Sequence, residues 1–158
     1  MTRTITESWM NKVDLYLGLG SNLGEREQNL MRAVTMMDEA FGVTPEKISR
    51  IYETASWGFE GPDFLNMCIL YRIPVEAPSV EHITALFHKM KEIEKALGRD
   101  DAPEHDTDGK QVYHNRTIDI DILYYGNETI NTEELTIPHP LIGQRDFVKK
   151  PLKEIYKH

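Results

Sequence analysis

The segment Arg116-Thr117-Ile118-Asp119-Ile120-Asp121-Ile122-Leu123-Tyr124-Tyr125 constrains this chain more than any other. It is rich in β-branched and aromatic residues, and isoleucine alternates with aspartate, a pattern that predicts a strand. Successive side chains of a strand point to opposite faces. Ile118, Ile120 and Ile122 therefore share one face, and Asp119 and Asp121 share the other. The chain must build a sheet with one apolar face on a core. Its other face carries two carboxylates roughly 6.6–6.8 Å apart along the strand. Two readings of that second face are open. An antiparallel sheet often leaves one face in water, where charges need no task. Alternatively, two like charges side by side invite a hard divalent cation with oxygen ligands. Arg116, just upstream, could then reach anionic oxygens held by the same metal, which makes the strand a metal–phosphate site.

The 158 residues suffice for one domain with a real core and are few for two. A net charge of −8 argues against nonspecific nucleic-acid binding, which needs a basic face. Cys68 is the single cysteine, so no internal disulfide forms, and a reducing compartment fits. No apolar run approaches the ~20 residues of a membrane span. Residues 1–12 are polar without an apolar signal core and read as a flexible arm before a single domain, 13–158. A cytoplasmic protein with no nucleic acid or membrane partner is expected.

Val13–Leu19 reads as a first strand, ended by Gly18-Leu19-Gly20-Ser21-Asn22-Leu23-Gly24. Its glycines fall at GxGxxxG, not the dinucleotide GxGxxG, and there is no Walker A sequence. Ser21 or Asn22 can cap the helix that follows, about Glu25–Phe41, whose stripe is Leu30, Ala33, Val34, Met37 and Phe41. Lys47–Thr54 reads as a second strand. The loop after it carries Trp57 and Phe59, which either pack back on the domain or form a stacking wall for a flat ring. Phe64–Ile73 is the third strand. Asn66 shares a face with Cys68 and Leu70 and needs partners: the backbone, or a heterocycle with an amide-like edge. A second helix runs from Pro78 to about Leu97, with Glu94 on its apolar stripe. The acidic stretch Asp100–Gly109 reads as a surface loop and a lid candidate. After the opening strand, a turn at Gly126-Asn127-Glu128 leads to a short strand and an extended segment in which His139 stands between Pro138 and Pro140. That mount, with Arg145 six residues on, favours an anion site.

The order β-α-β-β-α-β with an added C-terminal hairpin is the ferredoxin-like α+β arrangement, an antiparallel sheet with two helices on one face. The other face is left for a site.

Several segments, taken in order, carry a resemblance. They are Leu19-Gly20-Ser21-Asn22-Leu23, Tyr52-Glu53-Thr54, Pro62-Asp63-Phe64-Leu65-Asn66, Glu94 with Gly98-Arg99, Arg116 through Ile122, Gly126-Asn127-Glu128, Leu135 through His139, and Arg145 with Phe147. The chain resembles the 6-hydroxymethyl-7,8-dihydropterin pyrophosphokinases of the folate pathway. The resemblance implies pyrophosphoryl transfer from ATP to the pterin hydroxymethyl group, releasing AMP. It implies two Mg²⁺ ions on Asp119 and Asp121, with Arg99 and Arg116 at the transferred phosphates. It puts Glu94, Lys91, Arg116, Ile122, Leu135, Thr136, His139 and Arg145 around ATP, Glu94 at the ribose. It puts Thr54, Ser56, Trp57, Phe64, Asn66 and Phe147 around the pterin. A monomer is expected. The chain departs from the pattern at Phe64 (often Tyr), Tyr113 (often Trp) and Pro140 (often Tyr). It also departs in the acidic loop, which lacks a second arginine two residues after Arg99.

Overall fold

The computed structural model describes residues 11–55, 62–98 and 117–156. The strand β1 (Lys12–Ser21) lies between β4 (Phe64–Pro74) and β5 (Asp119–Tyr125), antiparallel to both. Two short strands, β2 (Lys47–Ile48) and β3 (Tyr52–Thr54), pair with β4 on its other side. The main sheet therefore runs β2/β3–β4–β1–β5, the order expected of the split βαββαβ arrangement. A separate hairpin joins β6 (Ile130–Asn131) to β7 (Thr136–Ile137).

Period-2 alternation decides what each face buries. Val13, Leu15, Leu17 and Leu19 of β1, Leu65, Met67, Ile69, Tyr71 and Ile73 of β4, and Ile118, Ile120 and Ile122 all enter one core. The helices α1 (Arg26–Phe41) and α2 (Val80–Ala96) close that core with Leu30, Ala33, Val34, Met37, Ile83, Leu86, Met90 and Ile93. Each fully buried Leu or Ile contributes roughly 1.5–3 kcal/mol. Gly42 ends α1 at φ 72°, the left-handed geometry that favours glycine. Ser79 caps α2, accepting the His82 N–H at 3.0 Å.

Three expectations change. The single strand over Lys47–Thr54 is broken at Ser49. The Ser49 hydroxyl accepts the Cys68 N–H at 2.9 Å, which interrupts the strand-to-strand ladder. Neither Ser21 nor Asn22 caps α1. Ser21 ends β1 and accepts from Asn29 Nδ2 at 3.3 Å, while Asn22 Nδ2 donates to the Pro62 carbonyl at 3.1 Å. Finally, the helices are not confined to one face. A third helix, α3 (Asp146–Ile155), lays Val148, Leu152 and Ile155 over Tyr16, Cys68, Leu70 and Leu123 on the opposite face. Among the described residues it covers part of that face and leaves the end bearing Asp119 and Asp121.

Candidate active site

The uncovered end of the sheet is organised by two glycines. Gly18 pairs with Cys68 on one side and Asp121 on the other; Gly20 pairs with Asn66 and Asp119 in the same way. Both glycines lie on the face shared by Asn66 and the aspartates, because β1 alternates with its core leucines. A strip of bare backbone thus separates two groups of polar side chains. A Cβ on Gly20 would stand 3.1 Å from Asn66 Oδ1 and 3.4 Å from Phe64 Cδ1, so nothing larger than glycine fits there unless the neighbours shift.

On the β4 side, Asn66 is buried and donates through Nδ2 to Thr54 Oγ1 at 2.8 Å. Thr54 lies opposite Phe64 in the β3–β4 ladder, which places Thr54, Phe64 and Asn66 together. On the β5 side, Arg145 Nη1 approaches Asp121 Oδ2 to 3.9 Å. The same guanidinium stands over the Phe147 ring, 5.4 Å from its centre. Arg145 stands at the N-cap of α3 and Phe147 in its first turn. The Asp121 carboxyl is pushed up to about 8, first by burial and then by the adjacent Asp119 charge, against the pull of Arg145. This is the electrostatic conflict expected of two carboxylates on one strand face.

His139 follows the cis Ile137–Pro138 peptide. Its backbone N–H donates to the Leu123 carbonyl at 3.1 Å, and its Nδ1 accepts the Leu141 N–H at 3.2 Å. Burial and the positive Arg145 push its pKa down. A neutral ring with Nδ1 occupied as acceptor carries its proton on Nε2.

The remaining expected ATP residues lie along the outer edge of β5. Ile122 and Leu135 turn into the helix-side core, whereas Thr136 is exposed. Lys91 Nζ is 3.2 Å from Glu94 Oε1 and 5.4 Å from the Phe87 ring centre. Glu94 itself has no exposed surface, and its Oε2 accepts the Ile120 N–H at 2.7 Å. Ser56, Trp57, Arg99, Arg116, Tyr113 and the Asp100–Gly109 loop lie outside the described residues.

Asp119 and Asp121 fit a hard cation by their chemistry: two carboxylate oxygen donors on one face, one of them pushed up by burial and by its neighbour's charge, a strain that a cation would relieve. Among the described residues no group of three or more His, Cys, Asp or Glu side chains forms a metal cluster. Two carboxylates with phosphate and water completing the shell is the usual arrangement for Mg²⁺.

The glycine strip is a departure from the sequence expectation: Gly18 and Gly20 do not terminate β1 but lie within it, and their spacing of two among Leu15, Leu17 and Leu19 marks one strand face. Arg26 is a further residue at this end of the sheet; its Nη1 donates to Glu53 Oε2 and to the Asp63 carbonyl, both at 2.8 Å. Those contacts tie the two flanks of the β3–β4 connection. No periodic signal could have paired Arg26 with residues so distant in the chain.

Residues 16–157 match the family model described as 7,8-dihydro-6-hydroxymethylpterin-pyrophosphokinase (HPPK). The chain belongs to this family. It is 41% identical over 143 residues to a 2-amino-4-hydroxy-6-hydroxymethyldihydropteridine pyrophosphokinase of Porphyromonas gingivalis, covering 89% of both chains. It is 38% identical to the Aquifex aeolicus protein of the same name and 37% identical to that of Bacillus subtilis. Those matches cover 89% and 92% of this chain, and 79% of each relative. A solved HPPK-DHPS structure in complex with substrates shares the fold at TM-score 0.61 and 17% identity. The match covers 93% of this chain and 41% of that one, so this HPPK chain spans less than half of the larger protein. No helix among the described residues of this HPPK chain is long and apolar enough to cross a membrane.

Proposed function

We propose that this chain transfers the pyrophosphoryl group of ATP to the hydroxymethyl oxygen of 6-hydroxymethyl-7,8-dihydropterin, releasing AMP, in folate biosynthesis. One observation carries the reading. Across the Gly18–Gly20 strip, the Asn66–Thr54–Phe64 group faces Asp119, Asp121 and Arg145. A flat heterocycle on the first group would extend a hydroxymethyl arm over the bare backbone toward the second.

In this reading Asn66 pairs with the polar edge of the pterin. Phe64 and Phe147 take its two ring faces, and Thr54 holds the Asn66 amide, with Ser56 and Trp57 also contributing. The hydroxymethyl oxygen attacks the β-phosphorus of ATP. The bond from that phosphorus to the α–β bridging oxygen breaks, AMP departs, and the hydroxyl proton leaves to solvent. Asp119 and Asp121 would hold two Mg²⁺ ions, which when bound neutralise the triphosphate and make the hydroxyl a better nucleophile. Arg145 and His139 orient the phosphate chain from the α3 side, His139 as an Nε2–H donor. Arg99 and Arg116 approach the transferred phosphates. Lys91, Ile122, Leu135 and Thr136 border the nucleoside along the β5 edge. No covalent nucleophile is required, since positioning and charge stabilisation supply most of the rate in phosphoryl transfers. The enzyme acts as a monomer in this reading.

Pure protein incubated with Mg²⁺, ATP and the dihydropterin should form AMP and the pterin diphosphate ester in equal amounts. Absence of AMP from folded protein would overturn the reading.

A further inference from the structure

Among the described residues β5 is an edge strand of the sheet: its ladder partner is β1, and its outer edge faces α2 and β7. Backbone N–H groups alternate between the two edges of a strand. The Ile120 N–H bonds Glu94, so it points outward, and the flanking Asp119 and Asp121 N–H groups point inward to β1. The amide that Glu94 holds is therefore the one lying between the two aspartates. Glu94 stands in α2 between Ile93 and Leu97, both packed in the core, and has no exposed surface. Burying a carboxylate is costly unless it is hydrogen-bonded and paired. Here the bond at 2.7 Å to a backbone amide and the Lys91 ammonium at 3.2 Å compensate it. An edge strand carrying two repelling carboxylates has reason to bend or fray outward, and a bond from a rigid helix to its middle residue opposes that.

We infer that Glu94 is a positioning residue, which fastens the β5 backbone at Ile120 and thereby sets the direction in which Asp119 and Asp121 point. This rests on the proposed transfer reaction. It gives Glu94 a task distinct from touching the ribose, the role that the family resemblance implies.

The test uses Glu94→Ala and Glu94→Gln, with Glu94→Asp as a milder variant. Glu94→Asp keeps the charge but draws the acceptor one methylene back from Ile120, and serves if Glu94→Ala does not fold. The first readout is hydrogen exchange at the Ile120 amide in the ligand-free, metal-free protein. Glu94→Ala or Glu94→Asp should accelerate it about ten- to a hundredfold, while Glu94→Gln, which keeps an acceptor oxygen, should stay near wild type. The second is the Mg²⁺ concentration for half-maximal transfer. It should rise by about tenfold or more in Glu94→Ala and Glu94→Asp and recover most of the way in Glu94→Gln. The third compares ATP with 2′,3′-dideoxy-ATP. A positioning residue costs both nucleotides the same factor. Unchanged Ile120 exchange in Glu94→Ala or Glu94→Asp, or a loss confined to ATP with ribose hydroxyls, would overturn the inference. If wild-type protein formed no AMP, the proposed reaction would fail instead, and the exchange measurement would still decide whether Glu94 holds the strand.

Discussion

Replacing Asp121 with asparagine should make the metal-free protein more stable while abolishing its reaction, and the gain should depend on pH in a defined direction. Asp121 stands beside Asp119 on one strand face, and its folded pKa is about 8 against an ordinary value of 3.8. Below about pH 4 the carboxyl is protonated in both folded and unfolded chains, and asparagine, its neutral isostere, changes little. Between about pH 4 and 8 the folded state holds a proton that the unfolded state has released. Wild-type stability therefore falls as pH rises, by up to 1.36 kcal/mol per unit for one proton. Above about 8 the loss is complete and the difference levels off. Full conversion over that span would exceed 5 kcal/mol. The Asp121 side chain is still 31% exposed, so solvent screening reduces the figure; the pull of Arg145, 3.9 Å away, is already contained in the folded value. A gain of about 1–3 kcal/mol at pH 8 is expected, or roughly 2–12 °C in Tm for a chain of this size. The assay is thermal unfolding of both proteins in EDTA from pH 4 to 9. Added Mg²⁺ should then recover wild-type stability at pH 8 and do less for Asp121→Asn. Parallel Tm curves across this range would refute the argument, because they would mean that Asp121 carries no strained charge in the folded protein.

Gly20→Ala should raise the KM for the pterin about tenfold, because the new methyl meets the Asn66 amide at 3.1 Å and must push it from its place against Thr54; an unchanged KM would remove the glycine strip from the substrate path. Tyr71→Phe should cost about 1–2 kcal/mol in urea unfolding, since the buried hydroxyl donates to Asp38 Oδ1 at 2.7 Å and the half-buried acceptor loses that partner; no shift in midpoint would contradict this. His139 should appear by ¹⁵N NMR at pH 7 as the neutral Nε2–H tautomer. Its pKa lies below the ordinary 6.5, so on acidification the unfolded chain takes up the proton first and this residue's contribution to stability falls; a charged ring at pH 7 would exclude the role given to it.

The order of residues by itself determined the two faces of the sheet. Leu15, Leu17 and Leu19 against Gly18 and Gly20, and Ile118, Ile120 and Ile122 against Asp119 and Asp121, alternate with the pleat, and a strand cannot present them otherwise. The stripes of α1 and α2 follow from helical spacing in the same way, so the split βαββαβ order was legible in the sequence. Charge repulsion between Asp119 and Asp121 was equally legible, being a consequence of neighbours two residues apart. What lies between elements was not. That α3 would cross to the second face and bring Arg145 to Asp121 depended on which apolar surface remained uncovered once α1 and α2 had taken the first. That Asn66 and the aspartates would face each other across bare backbone depended on strand register, which pairs Gly20 with both Asn66 and Asp119. Glu94 shows the division in a single residue. Its place on an apolar helix stripe was visible in the sequence, but only the packing of α2 along the edge of β5 could bring its carboxylate to the amide of Ile120, twenty-six positions away.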